Sequence, residues 1–150
     1  MRFYALLASS FLTFLEVNPN GLYSFVASVA AITADKFASE FGVLMASPVD
    51  IITQKKVRKG TSGGVSASGT VVGALAAFLI GLSVFAIGAP VAVFAVIVLS
   101  GIVGNAVDSL LGHFEEKKIG NKYTSNLLCS ASAALLCFAI LSLLPVSLLA

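Results

Sequence analysis

Four ionisable side chains lie within apolar stretches of this sequence and are its first candidates for chemistry: Asp35, Lys36, Glu40 and Asp108. Charges in such stretches are costly and mark functional sites more often than surface charges do. Lys36 and Glu40 are four residues apart, so on a helix they could also neutralise each other as a structural pair. Asp35 has Ser39 at that spacing, which leaves it without a cationic partner on its own helix. The pattern therefore predicts a site built around carboxylates.

The geometry of a regular helix limits how these carboxylates could share a metal ion. Asp35 and Glu40 are five residues apart, which directs their side chains about 140° from each other. A common metal would need a bend in the helix or a further ligand, and Asp108 is the candidate for that ligand. Mg²⁺ suits such a site because it takes oxygen ligands and usually shares them between one or two carboxylates and substrate phosphates.

A second feature is the segment from Val49 to Thr70, where a basic run enters a loop rich in Gly, Ser and Thr. Cationic side chains attract anions, and glycines allow backbone N–H groups to turn toward one. A helix beginning near Ser66 or Ser68 would direct its partly positive N-terminus to the same place. The segment predicts phosphate binding, and a cytoplasmic loop whose lysines only set topology is the alternative. The residues behind this prediction are Lys55, Lys56, Arg58, Lys59, Gly60, Gly63 and Gly64.

Composition and charge distribution place the chain in a membrane. It is 58% hydrophobic and 11% charged, with a mean hydropathy of +1.02. No charged residue occurs between positions 70 and 107 or between 123 and 150, whereas one spanning helix needs roughly 20 apolar residues. Because Gly88 and Pro90 divide the first stretch, we expect spans near 66–87, 90–111 and 123–146. Two earlier helices, over 3–15 and 22–46 with a turn at 16–21 between them, complete the prediction.

The sequence thus predicts an all-α, polytopic membrane protein with about five transmembrane helices and a single integral membrane domain over residues 1–150. Arg2 before an apolar core also resembles a signal peptide, but the turn that follows favours a membrane helix. Eight of the nine Lys and Arg residues fall on one side of the five-helix arrangement. By the positive-inside tendency this side, with the N-terminus, is cytoplasmic, and we expect a multi-pass protein of the cell membrane.

Other residues are expected to have structural or solvated roles. Cys129 and Cys137 are too far apart along one helix to form a disulfide and are predicted to pack in the interior. Asp50 is expected to be a solvated loop charge, and His113 with residues 115–118 an exposed polar turn. Neither zinc nor nucleic acid is expected, since the sequence has no zinc-ligand motif and its net charge is only +2.

Several motifs in order resemble one membrane family. They are Ala34-Asp35-Lys36-Phe37-Ala38-Ser39-Glu40-Phe41-Gly42, Pro48, Ile51-Ile52-Thr53, Lys56-Val57, Gly60 to Ser66, Gly69-Thr70, Asp108 to Gly112 and Asn121 to Asn126. Together they are similar to the family that includes phytyl-phosphate kinase and the transmembrane protein nineteen homologues, designated domain of unknown function ninety-two. More distantly the layout resembles dolichol kinase, phytol kinase and phosphatidate cytidylyltransferase, which use CTP with Mg²⁺.

The resemblance implies which residues bind what. Asp35, Glu40 and Asp108 would be the catalytic carboxylates and would face the Mg²⁺ of a metal–nucleotide complex, with Asn126 nearby as a polar contact. Family members usually carry additional N-terminal helices, so a second copy of this chain could close the site as a homodimer. The nucleotide phosphates would contact Lys55, Lys56, Gly60, Thr61, Ser62, Gly63, Gly64 and Ser66.

The resulting expectation is a kinase that transfers phosphate from a nucleoside triphosphate, with CTP favoured, to an isoprenoid monophosphate such as phytyl or prenyl phosphate. One alternative is a cytidylyltransferase that makes a CDP-lipid at the same site. The other is a transporter or packing subunit without enzymatic activity, in which Lys36 could cancel one of the carboxylates.

Overall fold

The computed structural model describes residues 19–45 and 47–145, and its architecture is mostly helical. A short two-stranded sheet lies between the first and second helices. A 3-10 helix, Ser83–Ile87, continues the second helix. The elements are α1 (Pro19–Met45), β1 (Val49–Asp50), β2 (Gly64–Val65), α2 (Ala67–Leu82), α3 (Val91–Glu116) and α4 (Lys122–Leu143).

Three helical segments of the described chain are long and apolar enough to cross a membrane. They cover Ala67–Ile87, Val91–Glu116 and Lys122–Leu143, with mean hydropathies of 2.4, 2.1 and 2.0. These segments agree with the spans predicted near 66–87, 90–111 and 123–146. Helix α1, which corresponds to the span predicted over 22–46, is not one of these three segments, and the predicted helix over 3–15 lies outside the described residues. The count of five therefore stays a prediction.

Two helix ends differ from the prediction and one break agrees with it. Helix α1 begins at Pro19, so the expected turn was wrong over 19–21. Proline is tolerated in a first helical turn because the N–H that it lacks would have no hydrogen-bond partner there. Helix α3 continues to Glu116, past the predicted end at 111. The break falls as expected, with Gly88 in the left-handed region at φ 73° and Pro90 capping α3.

Helix α1 is the centre of the bundle and contacts each of the other three helices. Ala27, Ala30, Ala31 and Ala34 are fully buried along it. Small residues on the neighbouring helices match these alanines, so the backbones approach closely, as is common in membrane helix packing. A Cβ on Gly104, for example, would lie 2.6 Å from that of Ala31. This central position is the reason that Asp35, next to Ala34, is buried at 6% exposure.

The connection from α1 to α2 folds back on itself as a small hairpin. Strands β1 and β2 pair antiparallel, with Val49 opposite Val65. The connection then leads into α2 through Ser66, whose side chain accepts a hydrogen bond from the Gly69 N–H at 3.1 Å and caps the helix. The helix start predicted near Ser66 is confirmed.

Candidate functional site: a polar cavity at the end of the bundle

A cavity of about 250 Å³ opens where the loop of residues 60–66, here called the glycine loop, meets the helix bundle. Every described helix contributes to it, and so does the loop between β1 and α2. The side chains that carry charge into it are Asp35 from α1, Asp108 from α3 and Lys122 from α4. Its lining residues are Asp35, Ala38, Ser39, Gly42, Val43, Pro48, Gly60, Thr61, Ser62, Gly63, Gly64, Val65, Ser66, Gly69, Thr70, Asn105, Asp108, Ser109 and Lys122.

The two buried carboxylates of this cavity meet at one ammonium group. Nζ of Lys122 lies 2.6 Å from Oδ2 of Asp108 and 3.6 Å from Oδ2 of Asp35. The two oxygens are therefore at most 6.2 Å apart, although Asp35 and Asp108 are more than 70 positions apart in the sequence. Lys36 also approaches Asp35 at 3.6 Å, with its side chain half exposed. The expectation that Asp35 has no cation on its own helix was wrong, because the adjacent lysine is long enough to reach back.

Some oxygen atoms of this cluster accept no hydrogen bond. Oδ1 of Asp108 and Oδ2 of Asp35 are both buried without a hydrogen-bond donor within the described chain. A buried acceptor without a donor costs free energy unless a ligand or ion satisfies it. The charged cluster therefore lacks hydrogen-bond donors for these two oxygens, and an additional cation or donor group in the cavity would stabilise it.

The glycine loop packs closely against the end of α3 and forms hydrogen bonds to it. Gly63 has φ +77°, and a Cβ there would lie 2.5 Å from the backbone N of His113. Ser62 donates two hydrogen bonds to α3, from its N–H to Glu116 at 2.9 Å and from Oγ to Glu115 at 2.7 Å. These contacts fix the loop over the cavity, and they depend on the absence of a side chain at residue 63.

A buried Asp–His pair also connects the hairpin that carries this loop to α3. Nδ1 of His113 lies 2.6 Å from Oδ2 of Asp50, and both side chains are less than 10% exposed. Oδ1 of Asp50 accepts hydrogen bonds from the Ile52 N–H and from both N–H and Oγ1 of Thr53. The expectations of a solvated Asp50 and an exposed His113 were both wrong. The reason is that the hairpin folds β1 onto α3, which a linear reading of the loop does not reveal.

These hydrogen bonds change the acidity of Asp50. The backbone N–H of Thr53 and the His113 side chain stabilise the carboxylate and hold the pKa of Asp50 well below its ordinary value of 3.8. Asp50 therefore stays ionised, and its negative charge remains available to His113 and Thr53 across the physiological pH range.

The structure gathers most, but not all, of the predicted site residues. Asp35, Asp108, Gly60, Thr61, Ser62, Gly63, Gly64 and Ser66 line the cavity. Glu40, Lys55 and Lys56 are exposed and do not line it, and Asn126 is half-buried outside it. Glu40 is turned away from Asp35 by the helical geometry that the sequence predicts for a five-residue separation. The lining residues that the sequence analysis did not assign to the site include Lys122, Asn105 and Ser109.

Lys122 is the main omission, and the sequence contained a signal for it. It is the cation at the start of a predicted span, within the segment Asn121 to Asn126 that forms part of the resemblance. The prediction used it only to set topology. Asn105 and Ser109 were recognisable as polar residues near Asp108, at spacings of three and one on the same helix.

The carboxylates of the cavity fit a Mg²⁺ ion that takes its other ligands from outside the protein, rather than an ion held by protein alone. No cluster of three or more His, Cys, Asp or Glu side chains converges within the described ranges, so the trio of Asp35, Glu40 and Asp108 is not assembled there. Two carboxylates with unsatisfied oxygens do converge, and Mg²⁺ commonly takes one or two carboxylates with the remaining ligands from phosphates and water. Asp35 and Asp108 are the residues that would hold it.

Long apolar helices around a buried charged cluster define an integral membrane protein with a polar site at the end of its helix bundle. Comparison with known sequences gives the particular family: residues 2–141 match the family described as integral membrane protein DUF92, and the chain belongs to it. This confirms the expected membership of domain of unknown function ninety-two, while the likeness to phytyl-phosphate kinase and the transmembrane protein nineteen homologues stays a prediction.

One relative is the uncharacterised membrane protein MJ0933 of Methanocaldococcus jannaschii. The two are 40% identical over 111 residues, which cover 73% of this chain and 47% of the relative. The chain thus spans about half the length of that curated relative. No solved structure shows significant similarity to this chain.

Proposed function

We propose that this protein is a nucleotide-dependent lipid phosphate kinase. It would transfer the γ-phosphate of CTP, or of another nucleoside triphosphate, to an isoprenoid monophosphate such as phytyl or prenyl phosphate. The observation that carries the proposal is the convergence of Asp35 and Asp108, from two helices, in one cavity covered by a glycine loop. The resemblance to phytyl-phosphate kinase supplies the choice of lipid and nucleotide.

The proposed setting is the cytoplasmic face of the cell membrane. In the five-span arrangement, α1 and the predicted helix over 3–15 join the three apolar spans, and the N-terminus is cytoplasmic. The exposed cluster at 55–59 and Lys122 lie on that same face under the positive-inside tendency. A water-soluble nucleotide could enter from the cytosol while the lipid stays in the bilayer.

The cavity residues have distinct proposed roles in phosphate transfer. Asp35 and Asp108 would hold Mg²⁺, which would supply neutralisation of the phosphate charge and polarisation of the transferred group. The backbone N–H of Gly63, with the hydroxyls of Thr61 and Ser66, binds phosphate oxygens, whereas the N–H of Gly64 already donates to the Thr61 carbonyl at 3.1 Å. Their rigid attachment to α3 and α2 keeps them in place before the nucleotide arrives.

Lys122 has a separate role because its ammonium already lies between the two carboxylates. Without a ligand it offsets part of their negative charge. With a nucleotide bound it turns to the phosphates, where a positive charge stabilises the negative charge that develops during transfer. Its half-exposed side chain leaves room for that change of partner.

The reaction needs no strong base, which agrees with the residues of the cavity. The attacking oxygen of a lipid monophosphate is already anionic at neutral pH, so catalysis depends on positioning and charge neutralisation. His113, the single histidine of the chain, is paired with Asp50 and does not line the cavity.

Product analysis tests the proposal. Purified protein in lipid vesicles is incubated with Mg²⁺, labelled CTP or ATP, and a panel of prenyl monophosphates. A kinase forms a lipid diphosphate and releases CDP or ADP. Release of pyrophosphate with formation of a CDP-lipid would show that the protein is a cytidylyltransferase and not a kinase. Absence of turnover with either nucleotide would favour the transporter or the packing subunit.

Dimerisation stays a prediction, which native mass spectrometry or crosslinking of the solubilised protein tests.

A further inference from the structure

A second cavity of about 190 Å³ lies beside the polar one, between α2 and α3 with one side covered by the loop. Four of its lining residues, Val65, Thr70, Asn105 and Ser109, also line the polar cavity. The two spaces are therefore adjacent across a shared wall. The residues that line only the second cavity are Ile51, Ala74, Ile102 and Ala106.

Polarity changes in one direction from the first cavity to the second. Three of the four shared residues are polar, whereas all four unshared residues are apolar. Along α2 the order is Thr70 and then Ala74, one helical turn further from the glycine loop. Along α3 the order from the loop end inward is Ser109, Ala106, Asn105 and Ile102, which covers roughly 10 Å at 1.5 Å per residue.

Exposed apolar residues follow two of the residues that line the second cavity. Leu75, next to Ala74, is 56% exposed, and Val103, next to Ile102, is 36% exposed. In a membrane protein such residues contact lipid chains. A molecule that occupied both cavities would have its anionic end at Lys122 and the glycine loop and its apolar end between α2 and α3.

We infer that the second cavity is the binding site for the first part of the hydrocarbon chain of the lipid phosphate whose phosphate lies in the polar cavity. This inference rests on the proposed function, and it adds the location of the chain and the residues that set its accepted length. Asn105 marks the boundary between phosphate and chain. Ala74 and Ala106 leave space for the chain because their side chains are small.

Steric filling of the second cavity tests the inference. In Ala106→Leu the added methyl groups occupy space that a long chain needs, while the polar cavity is untouched. We expect kcat/KM for farnesyl phosphate to fall about tenfold or more, the scale at which apolar pockets discriminate chain size. Turnover of dimethylallyl phosphate should stay within about twofold of the wild type, because its short chain ends near the boundary.

Ala95→Leu is the matched control. It is the same substitution on the same helix, at an exposed position that lines neither cavity. It should leave both substrates unaffected, and Ala74→Leu should repeat the selective effect from α2. Equal losses for the two substrates, or no loss for farnesyl phosphate in the Ala106 and Ala74 variants, would overturn the inference while leaving kinase activity itself in place.

A binding measurement tests the same site without turnover. A farnesyl phosphate analogue with a photoreactive diazirine on its second isoprene unit is crosslinked to the wild-type protein in vesicles, with and without excess farnesyl phosphate. Competed labelling of residues 70–75 and 102–109 supports the inference. Labelling confined to the outer face of α4 would contradict it, and this result does not depend on whether the protein is a kinase.

Discussion

Nζ of Lys122 lies 2.6 Å from Oδ2 of Asp108, so the first residue of α4 is bound to the second half of α3 inside the polar cavity. The same ammonium approaches Asp35 at 3.6 Å. Two carboxylates from different helices therefore share one cation. This relationship holds the cluster together, and several measurable properties depend on it.

Removal of the shared cation should destabilise the protein. Lys122→Met keeps much of the side-chain volume but leaves two buried carboxylates without a common counter-charge. We expect a loss of about 1–3 kcal/mol, less than for a fully buried pair because the lysine is 44% exposed. Thermal unfolding in detergent micelles measures it.

A second substitution distinguishes charge repulsion from lost packing in that variant. Adding Asp35→Asn to Lys122→Met neutralises one of the two carboxylates, so the double variant should be more stable than Lys122→Met alone. If the two substitutions simply add their destabilising effects, the carboxylates do not repel each other and the shared-cation description is wrong.

The close approach of the loop to α3 predicts different effects for two glycines. Gly63→Ala places a Cβ 2.5 Å from the backbone of His113 at φ +77°, so the loop must shift and about 2 kcal/mol or more should be lost. Gly60→Ala has φ +84° but no atom within 4 Å, so only the backbone strain of about 1 kcal/mol applies. Unfolding measurements compare them, and equal losses would show that the loop is not seated on α3.

The hydrogen bonds of Asp50 predict how stability depends on pH. Because its pKa is lowered on folding, the carboxylate contributes stability above about pH 4, and this contribution is lost as the pH falls below 3.8 toward the folded-state value. Asp50→Asn lacks the contribution at every pH, so the stability difference from the wild type should shrink in acid. Melting temperatures between pH 7 and pH 3 test this.

Glu40→Gln is the control for that titration, since Glu40 is an exposed carboxylate. Its difference from the wild type should change little over the same pH range. A constant difference for Asp50→Asn would mean that the Thr53 and His113 contacts do not stabilise the ionised form.

The composition of the site predicts unequal roles for the carboxylates of α1. Asp35→Asn should lower turnover about a hundredfold or more, the usual scale for loss of a group that organises charge in a transition state. Glu40→Gln should stay within about twofold of the wild type, because Glu40 is exposed and outside the cavity. Initial rates with CTP and farnesyl phosphate measure both variants. A large loss of turnover in Glu40→Gln would show that Glu40 takes part in the site.

Most of the local structure was predictable from the sequence because it depends on local properties. The uncharged stretches are long enough to predict the three apolar spans, and Gly88 with Pro90 predicted the break between two of them. Ser66 was recognisable as a cap because its hydroxyl can accept a hydrogen bond from the first helical turn. Cys129 and Cys137 are free and buried, as expected for packing residues.

The pairings between distant residues were not predictable in this way. Asp50 and His113 are 63 positions apart, and only the fold of the hairpin brings them together. Lys122 resembled an ordinary topology-setting lysine because its partners lie on two other helices. Sequence spacing could show that Asp35 and Glu40 diverge on one helix, but it could not show which of them faces Asp108.

The central claim is that Asp35 and Asp108 form the site of phosphate transfer to a lipid phosphate. The most direct measurement is the rate at which vesicle-embedded protein transfers label from γ-labelled CTP to farnesyl phosphate, compared between wild type and Asp108→Asn, with circular dichroism to confirm that both are folded. The account predicts labelled farnesyl diphosphate and CDP from the wild type and about a hundredfold less from the variant. Equal product from both proteins, or label released as pyrophosphate, would contradict it.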